Sequence, residues 1–304
     1  MHEHTVASYD DELTRLASLI SEMGGMAEAA VADATRALLK LDHEQAKQII
    51  ARDKLIDEMH RPHVVVYEPG ATPNFPADVV NLADRASIDA AIQAASEHCD
   101  RPFDALLACA GVADGTAGIE KINFIGHRHL IDRAIAKGFL GRGSAIGFIS
   151  STAGLGWRKH LDEVKAYLDD APDFDSAVAW IEAHPDKASY TWSKQSINVY
   201  VQSRALELLK QGIRVNAILP GPTDTPLARA NAETWLGFGT DYRADAGIEA
   251  SRPDEQAGPL VFLCSDAASH VSGEILIVDA GFTGSGVTGS YETAAMAVEF
   301  MENM

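Results

Sequence analysis

Cysteine is scarce in this sequence: Cys99, Cys109 and Cys264 are the only three in 304 residues, and none forms a C-x-x-C pair. That argues against a disulfide framework or a cysteine-bound metal site, so no metal is expected, and it suits a reducing, cytoplasmic setting. Long apolar runs are missing as well. Without about 18 consecutive apolar residues, no membrane span is expected. Positive charge is in short supply, with 25 Lys and Arg against 44 Asp and Glu, a net charge of −19. A nucleic-acid or anionic-membrane partner needs a clustered positive field, so neither is expected. The opening MHEHTVASYDDE is polar and acidic rather than basic and then apolar, which is not the pattern of a secretion signal. What is present is an ordinary globular composition, 46% hydrophobic and 23% charged, enough for one large domain or two small ones.

Two periodicities divide the chain. Through residues 8–59, Leu13, Leu16, Ile20, Met23, Ala27, Val31, Ala34 and Leu38 recur at three- and four-residue steps, followed by Ile49, Ile50, Leu55, Ile56 and Met59. This spacing predicts an α-helical hairpin. From His63 onward, short β-branched runs appear at 63–67, 78–82, 103–111, 144–151, 213–221 and 274–281. Helical patterns lie between most of them, near 87–97, 118–137, 190–211 and 253–264. Strands alternating with helices predict an α/β fold, a doubly wound parallel sheet. Pro62 disfavours helix just before it and marks the join, giving a hairpin over 1–60 and an α/β domain over 61–304.

Chemistry gathers at predicted strand ends, where parallel sheets place their sites. Tyr190 and Lys194 are spaced i, i+4 and project from one helix face. An ammonium beside a phenol favours phenolate, so the expectation is a Tyr190 pKa lowered toward working pH. Ser150 and Ser151 end one strand, Cys109-Ala110-Gly111 another, and Asn216 to Thr225, which includes Pro220, Gly221 and Thr223, a third. Taken singly, the serines also read as turn caps, Asn123 as a surface helix residue and Cys109 as a small buried hydrophobe.

In this order the motifs resemble the short-chain dehydrogenase/reductase family over roughly residues 63–282. The resemblance implies a Rossmann-like fold and NAD-dependent interconversion of an alcohol and a ketone, NADP not being excluded. It implies Tyr190 as general acid/base, Ser151 as hydrogen-bond donor to the substrate oxygen, and Lys194 as the nicotinamide-ribose and Tyr-tuning residue. Asn123 of INFIG takes the position of a water-holding relay asparagine. Cys109, Ala110 and Gly111 would border the nucleotide, and Pro220, Gly221 and Thr223 the nicotinamide. Asn81 would lie near the adenine, and Glu68, after HVVVY, near the adenosine ribose. A homo-oligomer is also implied.

Ser151 and Tyr190 are 39 positions apart, and the stretch 157–189 between them carries two helix-like pieces near 161–169 and 175–183. It reads either as a peripheral insertion or oligomer contact, or as a lid adding apolar surface over a hydrophobic substrate. Together with ISSTAG and PGPTDTPL, it is similar to the 3α-hydroxysteroid dehydrogenase/carbonyl reductase subgroup, which implies a hydroxysteroid or another bulky carbonyl substrate.

The family's first strand and its TGxxxGxG turn are missing from their usual place before HVVVY. Such a turn holds a cofactor pyrophosphate on backbone N–H groups at a helix N-terminus. Residues 3–59 instead resemble the N-terminal hairpin of the phosphate-uptake regulator (PhoU) family, through EMGG and ARDKLID. The expected body is therefore a parallel sheet lacking its usual first strand. A G-x-G-x-x-G at Gly284, Gly286 and Gly289 follows the strand pattern 274–281 but comes too near Met304 for a second strand, and it reads as a flexible tail. Three readings follow: a working oxidoreductase, a catalytically impaired fusion whose hairpin is an interaction module tied to phosphate uptake, or an artefactual join of two reading frames.

Overall fold

The computed structural model describes residues 80–98 and 101–304. The hairpin expected over 1–60, the HVVVY strand and Glu68 lie outside these residues. A four-stranded parallel sheet is built from β1 (Ala105–Ala108), β2 (Ala145–Ile149), β3 (Arg214–Pro220) and β4 (Ile275–Val278), ordered as they occur in the chain. Register runs Ala145↔Arg214 through Ile149↔Ile218 between β2 and β3. Before the sheet comes α1 (Arg85–His98); α2 (Gly126–Ala136) joins β1 to β2, and α3 (Leu161–Asp170), α4 (Phe174–Ala183) and α5 (Tyr190–Lys210) lie between β2 and β3. Next come α6 (Pro226–Ala230), α7 (Ala232–Trp235), α8 (Thr240–Ala246) and α9 (Pro253–Cys264), then β4, α10 (Phe282–Thr288) and α11 (Glu292–Asn303).

Side-chain alternation along the strands produces the layers. On β3, Val215 and Ala217 join the main core together with Ile197, Val201 and Leu208 of α5, whereas Ile218 packs with Leu260 and Leu263 of α9. Successive side chains on a strand point to opposite faces, so α5 and α9 cover opposite faces of the sheet. The Arg214 guanidinium at the start of β3 donates to the Leu263, Cys264, Ser265 and Ala268 carbonyls at 2.6–3.0 Å. It thereby satisfies the carbonyls left over at the end of α9, and its positive charge faces the negative end of that helix.

Three expectations are revised here. Residues 80–84 form a turn rather than the end of a strand, because the Asn81 side chain accepts from the Ala83 N–H at 3.0 Å and leads the chain into α1. The segment 157–189 is not a lid. Its helices bury Val164, Tyr167, Ala177 and Ile181 in the main core, and no residue of 157–189 lines the principal cavity described below. Arg128 of α2 holds this segment in place, its Nη2 donating to the carbonyls of Ala171 and Asp173 in the α3–α4 turn. The C-terminal stretch is not a flexible tail either: α10 and α11 enclose a second cluster of Phe282, Ala294, Val298 and Met301.

Arg128→Met would leave the buried Ala171 carbonyl and the partly buried Asp173 carbonyl without their donor, and it is expected to lower the unfolding free energy by about 1–3 kcal/mol. Urea unfolding checks this; a loss below about half a kcal/mol would contradict the assigned role.

Candidate active site

Three strand ends converge on one cavity of about 610 Å³. Its floor comes from Cys109 and Gly111 after β1, Ile149 to Ala153 after β2, and Pro220 to Thr223 after β3. Opposite them stands the first turn of α5. Ser189 caps that helix, its Oγ accepting from the Trp192 N–H at 3.1 Å, and Asp114 Oδ1 accepts from the Tyr190 N–H at 2.7 Å. Two acceptors thus satisfy otherwise unpaired N–H groups at the helix start and fix where Tyr190 begins it.

Ser151 does two things. Its hydroxyl oxygen accepts from the Ala153 N–H at 3.2 Å, capping the 3₁₀ turn Thr152–Arg158, and it shares the cavity lining with Tyr190. Lys194 is almost fully buried, its Nζ lying 5.3 Å from the Tyr190 ring centroid and donating to the Ile149 carbonyl at 2.8 Å. Ser150 is the structural partner, donating from its hydroxyl to the Lys194 carbonyl at 3.2 Å. Gly154 lets the serine turn approach α5, because a Cβ there would sit 2.8 Å from Asn198 Nδ2 and 3.1 Å from the Lys194 carbonyl carbon.

Asn123 is buried rather than on the surface, in a π-helical turn over Lys121–Ile125. Its Oδ1 accepts from the Val112 N–H at 2.8 Å, and its Nδ2 donates to the Val112 carbonyl at 3.0 Å and to Ser193 Oγ at 3.3 Å. It holds the chain just after Cys109-Ala110-Gly111. Cys109 is exposed in the cavity, not a buried hydrophobe. Ala110 is half-buried, and Asn81 is exposed and does not line the cavity.

Electrostatics overturn one expectation. Burial holds the Tyr190 phenol above its ordinary value, with the Ser151 hydrogen bond opposing the rise and Asp114 adding to it. Burial also lowers the neighbouring Lys194 ammonium, to about 8. Near neutral pH this Tyr190 is a proton donor.

Several residues at the site escaped the sequence reading. His127 places Nε2 2.9 Å from the Ala110 carbonyl and is held neutral, burial lowering it to about 4. Asp114, two residues after Val112, has no spacing signal of its own. Trp235, with its ring centroid 5.1 Å from that of Tyr190, and Phe238 belong to the segment after β3 and line the cavity.

A nicotinamide cofactor can be tested against these residues. A Cβ at Gly111 would lie 3.5 Å from Asn123 Oδ1 and 3.9 Å from Lys194 Nζ, so the bare glycine keeps a slot open between two buried polar groups. That slot, the Lys194 donor and the Pro220-Gly221 backbone fit the nicotinamide-ribose end. For the pyrophosphate, no strand among the described residues leads into a glycine-rich phosphate loop.

Residues 176–283 match the family described as enoyl-(acyl carrier protein) reductase, and residues 20–63 match the PhoU domain. The chain is 28% identical over 221 residues to 3-alpha-hydroxysteroid dehydrogenase/carbonyl reductase of Comamonas testosteroni, spanning 67% of this chain and 83% of that one. It is 30% identical over 186 residues to cis-4-hydroxycyclohexanecarboxylate dehydrogenase of Sinomonas cyclohexanicum, spanning 60% and 66%. Among solved structures, the 3-alpha-hydroxysteroid dehydrogenase of Pseudomonas sp. B-0831, crystallised with NADH, matches with TM-score 0.55 at 23% identity, over 70% of this chain and 84% of that one. Fold, motif order and relatives agree in one likeness: residues 80–304 resemble a short-chain dehydrogenase/reductase body, and residues 20–63 resemble the PhoU domain. Within that class, the chain is similar to the hydroxysteroid dehydrogenase/carbonyl reductase group.

Burying the Lys194 cation costs stability at every pH where it stays charged. Its folded value of about 8 lies below the ordinary lysine value of 10.5, so the unfolded chain binds the extra proton between them and stability rises with pH through that window. Lys194→Met is therefore expected to raise the unfolding free energy at pH 7 by about 2 kcal/mol, a gain that fades above pH 8 and disappears near 10.5. Urea unfolding at both ends of this window checks it; a variant less stable than the parent at pH 7 contradicts it.

Proposed function

We propose that this protein is an NAD(P)-dependent oxidoreductase that interconverts a secondary alcohol and a ketone, with a bulky cyclic compound as substrate. The observation that carries the reading is that Ser151, Tyr190 and Lys194 line one cavity together, with the buried Lys194 Nζ 5.3 Å from the Tyr190 ring centroid. A reduced nicotinamide, when bound, supplies the hydride that reaches the carbonyl carbon. Tyr190 gives its proton to the carbonyl oxygen as negative charge develops there, and Ser151 donates a hydrogen bond to the same oxygen. Lys194 holds ribose hydroxyls and stabilises the phenolate that results. Asn123 keeps the Gly111 slot in register by gripping Val112. Cys109, Ala110 and Gly111 border the nucleotide, and Pro220, Gly221 and Thr223 the nicotinamide; Asn81 and Glu68 are assigned to the adenosine end, with Glu68 favouring NAD. In alcohol oxidation the same groups work in reverse.

The domain division belongs to this reading: a PhoU-like hairpin over 1–60 and the oxidoreductase body over 61–304, working in the cytoplasm as a homo-oligomer. The rival is a catalytically impaired fusion whose hairpin is an interaction module. It is favoured by the PhoU match at residues 20–63 and by the fate of the G-x-G-x-x-G at Gly284, which lies within α10 instead of forming a phosphate loop.

NADH titration by fluorescence separates the two. The oxidoreductase reading expects saturable binding and reduction of a cyclic ketone. Tyr190→Phe is expected to lower kcat by about 10²-fold or more while NADH affinity stays within about twofold. Absence of saturable binding at millimolar NADH would favour the impaired fusion.

A further inference from the structure

Beyond the strand ends the cavity has an apolar lining, and two elements supply it. Trp235 and Phe238 come from the segment after β3; Phe300, Met301 and Met304 come from the last turn of α11 and the residue after it. The position of α11 is fixed by an unusually close crossing with α10. At Gly286 a Cβ would lie 2.5 Å from the Ala294 carbonyl oxygen and 2.5 Å from Val298 Cγ2, so no larger residue fits without the helices parting. The helix is tied at both ends as well. Thr293 Oγ1 donates to Asp241 of α8, and Asn303 Oδ1 accepts from Lys159 just after the serine turn. At Gly156 a Cβ would meet the Met301 carbonyl at 3.0 Å, which puts the serine turn directly against the end of α11. The wall and the hydroxyl that would hold the substrate oxygen are thus parts of one packed unit.

Two of the wall residues are free to meet a ligand. Phe300 is 65% exposed and Met304 42%, although both border the cavity, while Met301 is buried and anchors the helix in the second cluster. Exposed large apolar side chains at the rim of a concave site gain most when a ligand covers them. The cavity of about 610 Å³ has to hold the nicotinamide end and a substrate beside it, and its lining offers the substrate a broad apolar wall.

We propose that α11 is the specificity wall of this site: Phe300 and Met304 accept the outer ring of a fused-ring alicyclic ketone or secondary alcohol whose oxygen is held by Ser151 and Tyr190. This rests on the oxidoreductase reading above. The test uses the full chain, NADH, and two ketones, 1-decalone with two fused rings and cyclohexanone with one. A Phe300→Ala/Met304→Ala double variant is expected to raise KM for 1-decalone about tenfold and KM for cyclohexanone less than twofold, with NADH affinity unchanged. Met296→Ala, on the same helix but outside the cavity lining and 67% exposed, is expected to change neither. Equal changes for both ketones, or none for either, overturn the proposal. If the parent reduces neither ketone, the oxidoreductase reading fails, and the wall is judged by quenching of intrinsic tryptophan emission on adding 1-decalone. Quenching by the parent that the double variant loses supports the wall; quenching equal in both, or absent in the parent, overturns it.

Discussion

The hydrogen bond from Lys194 Nζ to the Ile149 carbonyl, 2.8 Å long, joins the two elements on which the rest of the site is hung. Ile149 ends β2 and Lys194 belongs to the second turn of α5, so one buried ammonium fixes the strand end against the helix that faces it. The serine turn follows β2 immediately, and Tyr190 stands one turn before Lys194. Phenol and hydroxyl therefore line one cavity because the strand and the helix have already been brought into register. The cation does this at a cost, since burial lowers it to about 8, and the hydrogen bond to Ile149 offsets only part of it. Stability and chemistry pull in opposite directions at this residue, as they commonly do where a charge is kept for its work.

The same economy recurs wherever a polar group is buried outside the sheet ladders. Asn123 spends both ends of its amide on Val112, so the segment after β1 is held by a side chain rather than by a strand. Arg214 collects the loose carbonyls at the end of α9, and Arg128 collects those of the α3–α4 turn. In each case a planar or forked donor set closes a loop that would otherwise bury unpaired carbonyls. The long stretch between Ser151 and Tyr190 could not be assigned from its helical faces alone. Both a lid and a core-packed insertion need an apolar stripe, and only the Arg128 contacts and the burial of Tyr167 distinguish them.

What was legible in the sequence followed local rules. The strands ending in Cys109-Ala110-Gly111, Ser150-Ser151 and Pro220-Gly221 were visible because β-branched and aliphatic runs stop abruptly at small or turn-forming residues. The i, i+4 spacing of Tyr190 and Lys194 put both on one helix face, which the structure retains. What was not legible depends on the surroundings. The phenol was expected to be acidified by its neighbouring ammonium, but the spacing carries no information about burial, and burial dominates both groups. Trp235, Phe238 and Phe300 reach the cavity from segments far apart in the chain, so no motif could announce them. At the sheet edge the sequence reading was of a missing neighbour. Among the described residues β1 pairs only with β2 and its Leu107 is 45% exposed, but the HVVVY pattern that would test that reading lies outside these residues.

The fate of the one G-x-G-x-x-G motif that follows a strand shows why pattern and function separate. In a phosphate loop, glycines expose backbone N–H groups to an anion and let it come close. Gly284, Gly286 and Gly289 have the same spacing, and they too follow a strand of the sheet. Here, however, Gly286 faces another helix, and the space a ligand would need is taken by the Ala294 carbonyl and the Val298 side chain. The absence of a Cβ serves close approach in both settings, to a phosphate in one and to a helix backbone in the other. Which of them applies is decided by what the chain does next. A helix continuing into a second strand leaves the loop open to a nucleotide, whereas a helix turning straight back on itself at Gly289 closes it. By closing, it carries Phe300 and Met304 to the rim of the cavity, so the glycines bear on the site through packing, without binding anything themselves.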